Sequence, residues 1–315
     1  MTIRRVALVG LLAMGIGVTL IYQVRNPERQ ELDDAARAGA PGRFLTLTDG
    51  VTHYDLAGPD TGRRVVLVHG FSVPFYIWDS TVVALAGAGF RVARYDILGR
   101  GYSDRPRIRY RPEVLVGQLV DLLDSLGWQD PVDVVALSMG GPVAAGFVAA
   151  HADRVRSLTL IDPAAGPRGA VPAIFRVPAL GPYLWQVLAV PGLAEGQSTD
   201  FVEPAKWPDW ADRYRVQMRY RGFGRALWST LGEIAGQDSD SVYARVGAAG
   251  IPSLLIWGTE DQTVKIEHAE RVTRAIPQVR FHRIERAGHL PHMERTDLVN
   301  PLLIGFLRES RASRP

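Results

Sequence analysis

Short apolar strand patterns separated by helical segments recur along this chain, and that alternation limits its fold more than any other feature. "RRVVLVHG" is a continuous β-branched run, and "FRVARYD", "VDVVALS", "VRSLTLID" and "PSLLIWG" follow it at intervals. Runs of this kind are the strands of parallel sheets buried on both faces. Helical periodicity fills the gaps, from about Tyr76 to Ala88, from Pro112 to Leu126, up to Ala150, and again after Lys265. A parallel pair needs a crossover, and a helix between two strands supplies it. The chain is therefore predicted to be an α/β protein with a mostly parallel, doubly wound sheet. Ahead of the alternation, "RFLTLT" and "VTHYDLAG" flank Asp49-Gly50, a hairpin signal. Behind it, "QVRFHRIE" and the amphipathic "TDLVNPLLIGFLRES" supply a last strand and a closing helix.

The alternation breaks once. From residue 163 to about 245 the chain is rich in Pro, Gly and aromatics, with Trp185, Trp207, Trp210 and Trp228 among them. This segment reads as an inserted helical cap whose aromatics mostly pack cap against core, with a few left to line a pocket at the junction. The expected organisation is a core at 43–162, the cap at 163–245, the rest of the core at 246–310 and a tail at 311–315.

The amino terminus has a different character. Arg4 and Arg5 precede an uncharged stretch from Val6 to Val24. As a helix those residues span roughly 28 Å, close to a bilayer's hydrocarbon thickness. Tyr22, Gln23, Val24 and Arg25 follow where a cleaved signal peptide would place small residues, so an uncleaved signal anchor is expected, with secretion after cleavage as the alternative. The flanking charges, Arg4 and Arg5 against the later "ELDD", predict a cytoplasmic amino terminus and an exported body. Residues 26–42 are polar and rich in Ala and Gly, which suits a linker.

Composition removes several classes. The chain has no cysteine, so disulfides, thiol catalysis and Cys-ligated metals are excluded. Net charge is +3, but its Arg residues are scattered among acids with no basic aromatic-laced stripe, which argues against nucleic-acid binding. Nothing in the pattern calls for a cofactor or metal, and oligomeric state is not legible.

Ligands of open parallel sheets bind beyond the carboxyl ends of the strands. There the sequence places His69, Gly70, Phe71 and Ser72, then Asp96, Ser138, Asp162, Glu260 with Asp261, and last Glu285, His289 and His292. A serine, acids and a histidine thus reach one edge, in that chain order. With "HGF", "YDILGRGYSD", "ALSMGG", "WGTEDQTV" and "AGHLPHME" in order over residues 43–310, the chain resembles α/β-hydrolase-fold serine hydrolases of the lipase and esterase type. The resemblance implies a Ser138 nucleophile on a tight strand-to-helix turn. A neutral hydroxyl needs an adjacent base, for which His289 is the best placed, and Asp261 would hold the imidazole in the needed tautomer. It also implies an oxyanion hole from the backbone N–H groups of Met139 and Phe71. Asp162 is the alternative acid, since some members of this fold carry the acid after that strand.

Competing residues are weaker. Ser198 follows no strand, and His292 stands further from the last strand than His289. His69 is expected to brace the oxyanion loop, Asp96, Gly99 and Gly101 to be structural, and His53, His151, His268 and His282 to be surface or packing residues. One departure is Ala136, where the family's elbow carries glycine. Serine at 138 also argues against relatives that attack through a carboxylate, such as epoxide hydrolases and haloalkane dehalogenases. The implied function is hydrolysis of a carboxylic ester, with an apolar acyl or ester substrate. Carbon–carbon bond hydrolysis, enol-lactone hydrolysis or cofactor-free haloperoxidase chemistry on the same triad is the second reading, and a non-catalytic binding protein the third.

Overall fold

The computed structural model describes residues 3–166, 171–234 and 239–310, with side chains from residue 7 onward. Arg4, Arg5 and the tail at 311–315 thus lie outside the described side chains. Strands β1 (Arg43–Leu47), β2 (Gly50–Ala57), β3 (Arg63–Val68), β4 (Phe90–Tyr95), β5 (Val132–Leu137), β6 (Val155–Ile161), β7 (Ser253–Gly258) and β8 (Arg280–Ile284) form one sheet. Their spatial order is β1-β2-β4-β3-β5-β6-β7-β8. β1 and β2 are the expected antiparallel hairpin, β2 also runs antiparallel to β4, and every pairing from β4 to β8 is parallel.

Why the central runs are mostly apolar is visible in β5, where all six residues are buried and the charged Asp133 is paired with Arg63 at 2.5 and 2.6 Å. Val132, Val134 and Ala136 face one helical layer, and Val135 and Leu137 face the other, as period-two alternation requires. Helices α1 (Ile3–Arg25) and α2 (Asp34–Ala38) precede the sheet, and α3 (Asp79–Gly87), α4 (Pro112–Ser125) and α5 (Gly140–Ala150) cross it. After β6 come α6 (Leu180–Leu184), α7 (Leu193–Gly196), α8 (Trp210–Met218) and α9 (Phe223–Ile234), then α10 (Ser239–Ala248) and α11 (Ala269–Ala275). α12 (Pro291–Glu294) and α13 (Thr296–Glu309) close the chain. α4, α5, α10 and α11 cover one face; α3 and α13 cover the other, joined by buried side chains of α8 and α9. α10 therefore lies against α5 and α11 rather than among the helices inserted after β6.

The tryptophans of the insertion make two groups. Trp185 meets Phe175 edge-on and Trp228 meets it at a tilt, while Trp207 and Trp210 meet Phe201, and Trp210 reaches Tyr76 of the core. Within α1, Ala7–Arg25 is long and apolar enough to cross a membrane, and none of it is buried. The segment after α1 is docked rather than free. Gly222 and Gly224 donate their backbone N–H groups to the Glu28 carboxylate at 2.6 and 2.7 Å, and Arg221 N–H donates to the Gln30 carbonyl. Those partners lie almost two hundred residues away in sequence, which is why composition alone reads as a tether.

Candidate active site

Ser138 follows β5 at once, and α5 begins two residues later. Its backbone sits at φ 52°, a left-handed conformation that costs a non-glycine residue roughly 1–2 kcal/mol. Such strain persists only where neighbours enforce it, and it concentrates at functional sites. Here the Ser138 N–H donates to the Ile161 carbonyl at 3.0 Å, and its own carbonyl accepts from Gly141 and Ala164 at 2.9 Å each. The two glycines serve close approach, not a positive φ. A Cβ on Gly140 would lie 2.5 Å from the Val68 carbonyl oxygen, and one on Gly141 would lie 2.7 Å from Pro163 Cβ. The serine itself carries the strained turn. Ala136, in place of the usual glycine, is fully buried in the same apolar layer as Met139, so its methyl is accommodated.

The loop after β3 lies against this serine. A Cβ on Gly70 would be 3.1 Å from Ser138 Cβ, so only glycine lets the loop come this near without displacement. His69 fixes the loop. Its Nε2 accepts from the Ile97 N–H at 2.9 Å, so Nδ1 carries the hydrogen and donates to the Gly70 carbonyl at 2.9 Å. Burial pushes the His69 imidazole down to about 4, which keeps it neutral in that role. The bonded carbonyl belongs to the Gly70–Phe71 peptide, whose N–H therefore points the opposite way across a planar trans unit. Arg100, missed by the sequence reading, holds the next peptide: its Nε donates to the Phe71 carbonyl at 2.8 Å and its Nη2 to Thr230 Oγ1 at 2.9 Å.

His289 and Asp261 form a buried pair, Nδ1 to Oδ2 at 2.7 Å. Asp261 Oδ1 accepts from the Thr263 and Val264 N–H groups at 2.7 and 2.9 Å, which locks the carboxylate. Burial alone would lower the His289 pKa, but the charge and hydrogen bond of Asp261, with the charge of Asp200, outweigh it and hold the imidazole above its ordinary value. Two residues, one in the insertion and one in α12, also fix the histidine loop, and no local pattern marks them. The His289 N–H donates to the Asp200 carbonyl at 2.8 Å, and Glu294 accepts from Gly288 at 2.6 Å and from Val202 at 2.7 Å.

Asp162 shares the neighbourhood with a different duty. Its φ is 41°, and its Oδ1 accepts from the Gly258 N–H at 2.9 Å, tying the end of β6 to β7. Burial, and then the negative charge of Asp261, raise its pKa well above the usual carboxylate range. Two carboxylates this close cannot both ionise cheaply. Asp261, which holds the histidine, is the one suited to carry the charge. Asp162, Asp261 and His289 each bring one donor atom within 4.8 Å of the others, a spacing that could hold a cation. Both Asp261 oxygens and His289 Nδ1 are already committed to hydrogen bonds, so the cluster is best described as an acid–base network.

The competitors fall elsewhere. Ser198 lies in the insertion and donates to the Glu195 carbonyl. His292 is buried on Trp78, bonds the Ile77 carbonyl at 3.1 Å, and is pushed down to about 3 by burial. His282 is exposed, and His53 is a packing residue of an unexpected kind, paired with Asp96 at 2.6 Å in the interior. Ser138 itself is only 9% exposed, so entry to it is narrow. A cavity of about 550 Å³ runs along α5 between α4 and α10, lined by Met139, Pro142, Val143 and Ile234 but not by Ser138 or His289.

The profile of the α/β-hydrolase fold matches residues 63–296. A 2-hydroxy-6-oxononadienedioate/2-hydroxy-6-oxononatrienedioate hydrolase of Cupriavidus pinatubonensis is 28% identical over 84% of this chain and 94% of its own. Lipase 1 of Psychrobacter immobilis is 27% identical over 81% of this chain and 80% of its own. Among solved structures, a membrane phospholipase A superposes with a TM-score of 0.71 at 23% identity, covering 99% of this chain and 100% of that one. The family match spans well over half of the sequence and coincides with the sheet that positions Ser138, Asp162, Asp261 and His289: the chain belongs to the α/β-hydrolase family.

Proposed function

We propose that this protein is a serine hydrolase cleaving carboxylic esters, anchored to a membrane by α1. The carrying observation is Ser138 held at φ 52° against the Gly70 loop, on the sheet edge that also holds the bonded His289–Asp261 pair. His289 takes the proton from Ser138 Oγ as the oxygen attacks the ester carbonyl carbon. Negative charge then collects on the carbonyl oxygen, which the N–H groups of Met139 and Phe71 receive. Each donor of this type contributes about 3–4 kcal/mol to the transition state. Met139 lies at the amino end of α5, where the helix dipole favours that charge. His289 returns its proton to the leaving alkoxide. Water then repeats the sequence on the acyl-enzyme, releasing the acid and restoring Ser138. Asp261 orients the imidazole throughout, while Asp162 ties the end of β6 to β7. The anchor reading, with the body outside the cytoplasm, rests on the apolar, fully exposed α1 and on Arg4 and Arg5 before it.

A second reading keeps these residues and changes the bond broken. It is favoured by the identity with the 2-hydroxy-6-oxononadienedioate/2-hydroxy-6-oxononatrienedioate hydrolase over most of both chains. A substrate panel separates the two. The purified full chain is expected to turn over aryl butyrates and longer aryl esters. Turnover of a 2-hydroxy-6-oxodienoate with inert aryl esters would instead assign carbon–carbon hydrolysis.

A further inference from the structure

The large apolar side chains left exposed on this molecule are not evenly spread. Among the described residues outside α1 they are Val83, Ile174, Val177, Leu180, Leu188 and Leu298, so four of the six fall within one short stretch of the insertion. From Val171 to Ala194 that stretch contains a single charged residue, Arg176. It also holds Tyr183 and Trp185, side chains suited to a membrane interface.

This stretch is fastened to α1 well inside the apolar span. The Tyr183 hydroxyl donates to the Val18 carbonyl at 2.9 Å, its ring stacks on Tyr22, and Arg25 Nε donates to the Val187 carbonyl at 3.0 Å. Val18 is seven residues before Arg25, so at 1.5 Å per residue the Tyr183 contact sits roughly 10 Å along the helix from its polar end. If the cap stood wholly in water, only Ala7 to Val18, about 17 Å of helix, would remain for a hydrocarbon layer about 30 Å thick. The contact and the span are compatible only if this part of the cap enters the lipid.

We infer that residues 171–190 form a second membrane-contacting element, immersed in the leaflet on the side of the catalytic body. The occupant of the apolar face is thus the lipid bilayer itself, and the cap over Ser138 rests in the phase where apolar esters dissolve. The inference rests on α1 being a membrane anchor. A depth of roughly 10 Å matches the upper end of that reached by interfacial elements. Docking by Glu28 to the backbone of Gly222 and Gly224 holds the cap in register with the helix, so depth is set by rigid contacts rather than by a loose tether.

The chain has no native cysteine, which makes single-cysteine labelling clean. Full-length variants Leu11→Cys, Ile174→Cys, Leu188→Cys and Asp60→Cys would be labelled with an environment-sensitive fluorophore in phosphatidylcholine vesicles. Asp60 is exposed on the turn before β3, at the opposite edge of the parallel strands. Lipids carrying a nitroxide on the acyl chain are expected to quench the labels at 11, 174 and 188 by about half or more, leaving 60 to aqueous iodide. Quenching at 11 with 174 and 188 behaving like 60 overturns the inference while the anchor stands. No lipid quenching at 11 overturns the anchor and this inference with it. In either event, hydrolysis of a soluble aryl ester tests the enzymatic reading separately. A double substitution, Ile174→Asp with Leu188→Asp, is expected to slow hydrolysis of a vesicle-embedded ester about tenfold and leave soluble-ester turnover unchanged. Equal rates on the embedded ester would contradict the contact.

Discussion

Among the described residues the molecule contains two buried His–Asp pairs of nearly equal geometry, and they differ in what each leaves free. His289 meets Asp261 at 2.7 Å and His53 meets Asp96 at 2.6 Å, and in both the acid's hydrogen bond and charge outweigh burial to raise the histidine pKa. The difference lies in the second ring nitrogen. His53 Nε2 is taken by the Pro41 carbonyl, and its ring is packed between Phe44 and Phe75. With an acceptor at each nitrogen it suits a fixed imidazolium clamping β2 to the loop after β4. His289 has only Nδ1 engaged among the described residues, which leaves Nε2 for a proton in transit. A bonded acid makes a histidine basic; only a second nitrogen left free also lets it take up and release a proton.

The sharpest way to break this contrast is to remove each histidine in turn. His289→Ala is expected to lower kcat on an aryl ester by about 10⁶-fold with little change in thermal unfolding. His53→Gln should do the reverse. Leaving Asp96 buried without its cation costs about 3–5 kcal/mol of stability, read by denaturant titration, while kcat per folded molecule holds. Loss of turnover in folded His53→Gln would erase the distinction. The two acids near His289 separate next. Asp261→Asn is expected to cost about 10⁴-fold in kcat by presenting the wrong tautomer. Asp162→Asn, which keeps the shape of a neutral carboxyl and an oxygen for Gly258, should change kcat by less than about tenfold. The pH profile carries the smallest effects. Catalysis needs neutral His289, and its pKa is raised, so activity falls as pH drops through a value above the ordinary 6.5. Because the Asp200 charge helps to raise it, Asp200→Asn should move that acid limb to lower pH in kcat/KM.

Much of the sheet and its chemical edge was legible because period and order are local. Short apolar runs, the Asp49-Gly50 turn and a serine at a strand end need no distant partner to be recognised. The elbow's mechanics were less so. Glycines 140 and 141 clear space for β3 and Pro163, and Ser138 bears the positive φ. Those duties depend on how close two strands' ends come, which spacing does not report. His53 gave no sign of its burial, since a lone histidine in an alternating strand reads as surface or packing. Glu28, Arg100 and Glu294 were invisible for the same reason. Glu28 meets Gly222 and Gly224, Arg100 meets Thr230 and Glu294 meets Val202, partners that become neighbours only when the insertion folds over the sheet.

The most direct measurement is covalent labelling of the full chain with a fluorophosphonate, read by intact mass and peptide mapping. A single adduct per chain on Ser138 is expected, with none on folded Ser138→Ala and strongly slowed labelling of His289→Ala. A folded wild type that stays unmodified, or an adduct on any other serine, would contradict Ser138 as the nucleophile of this hydrolase.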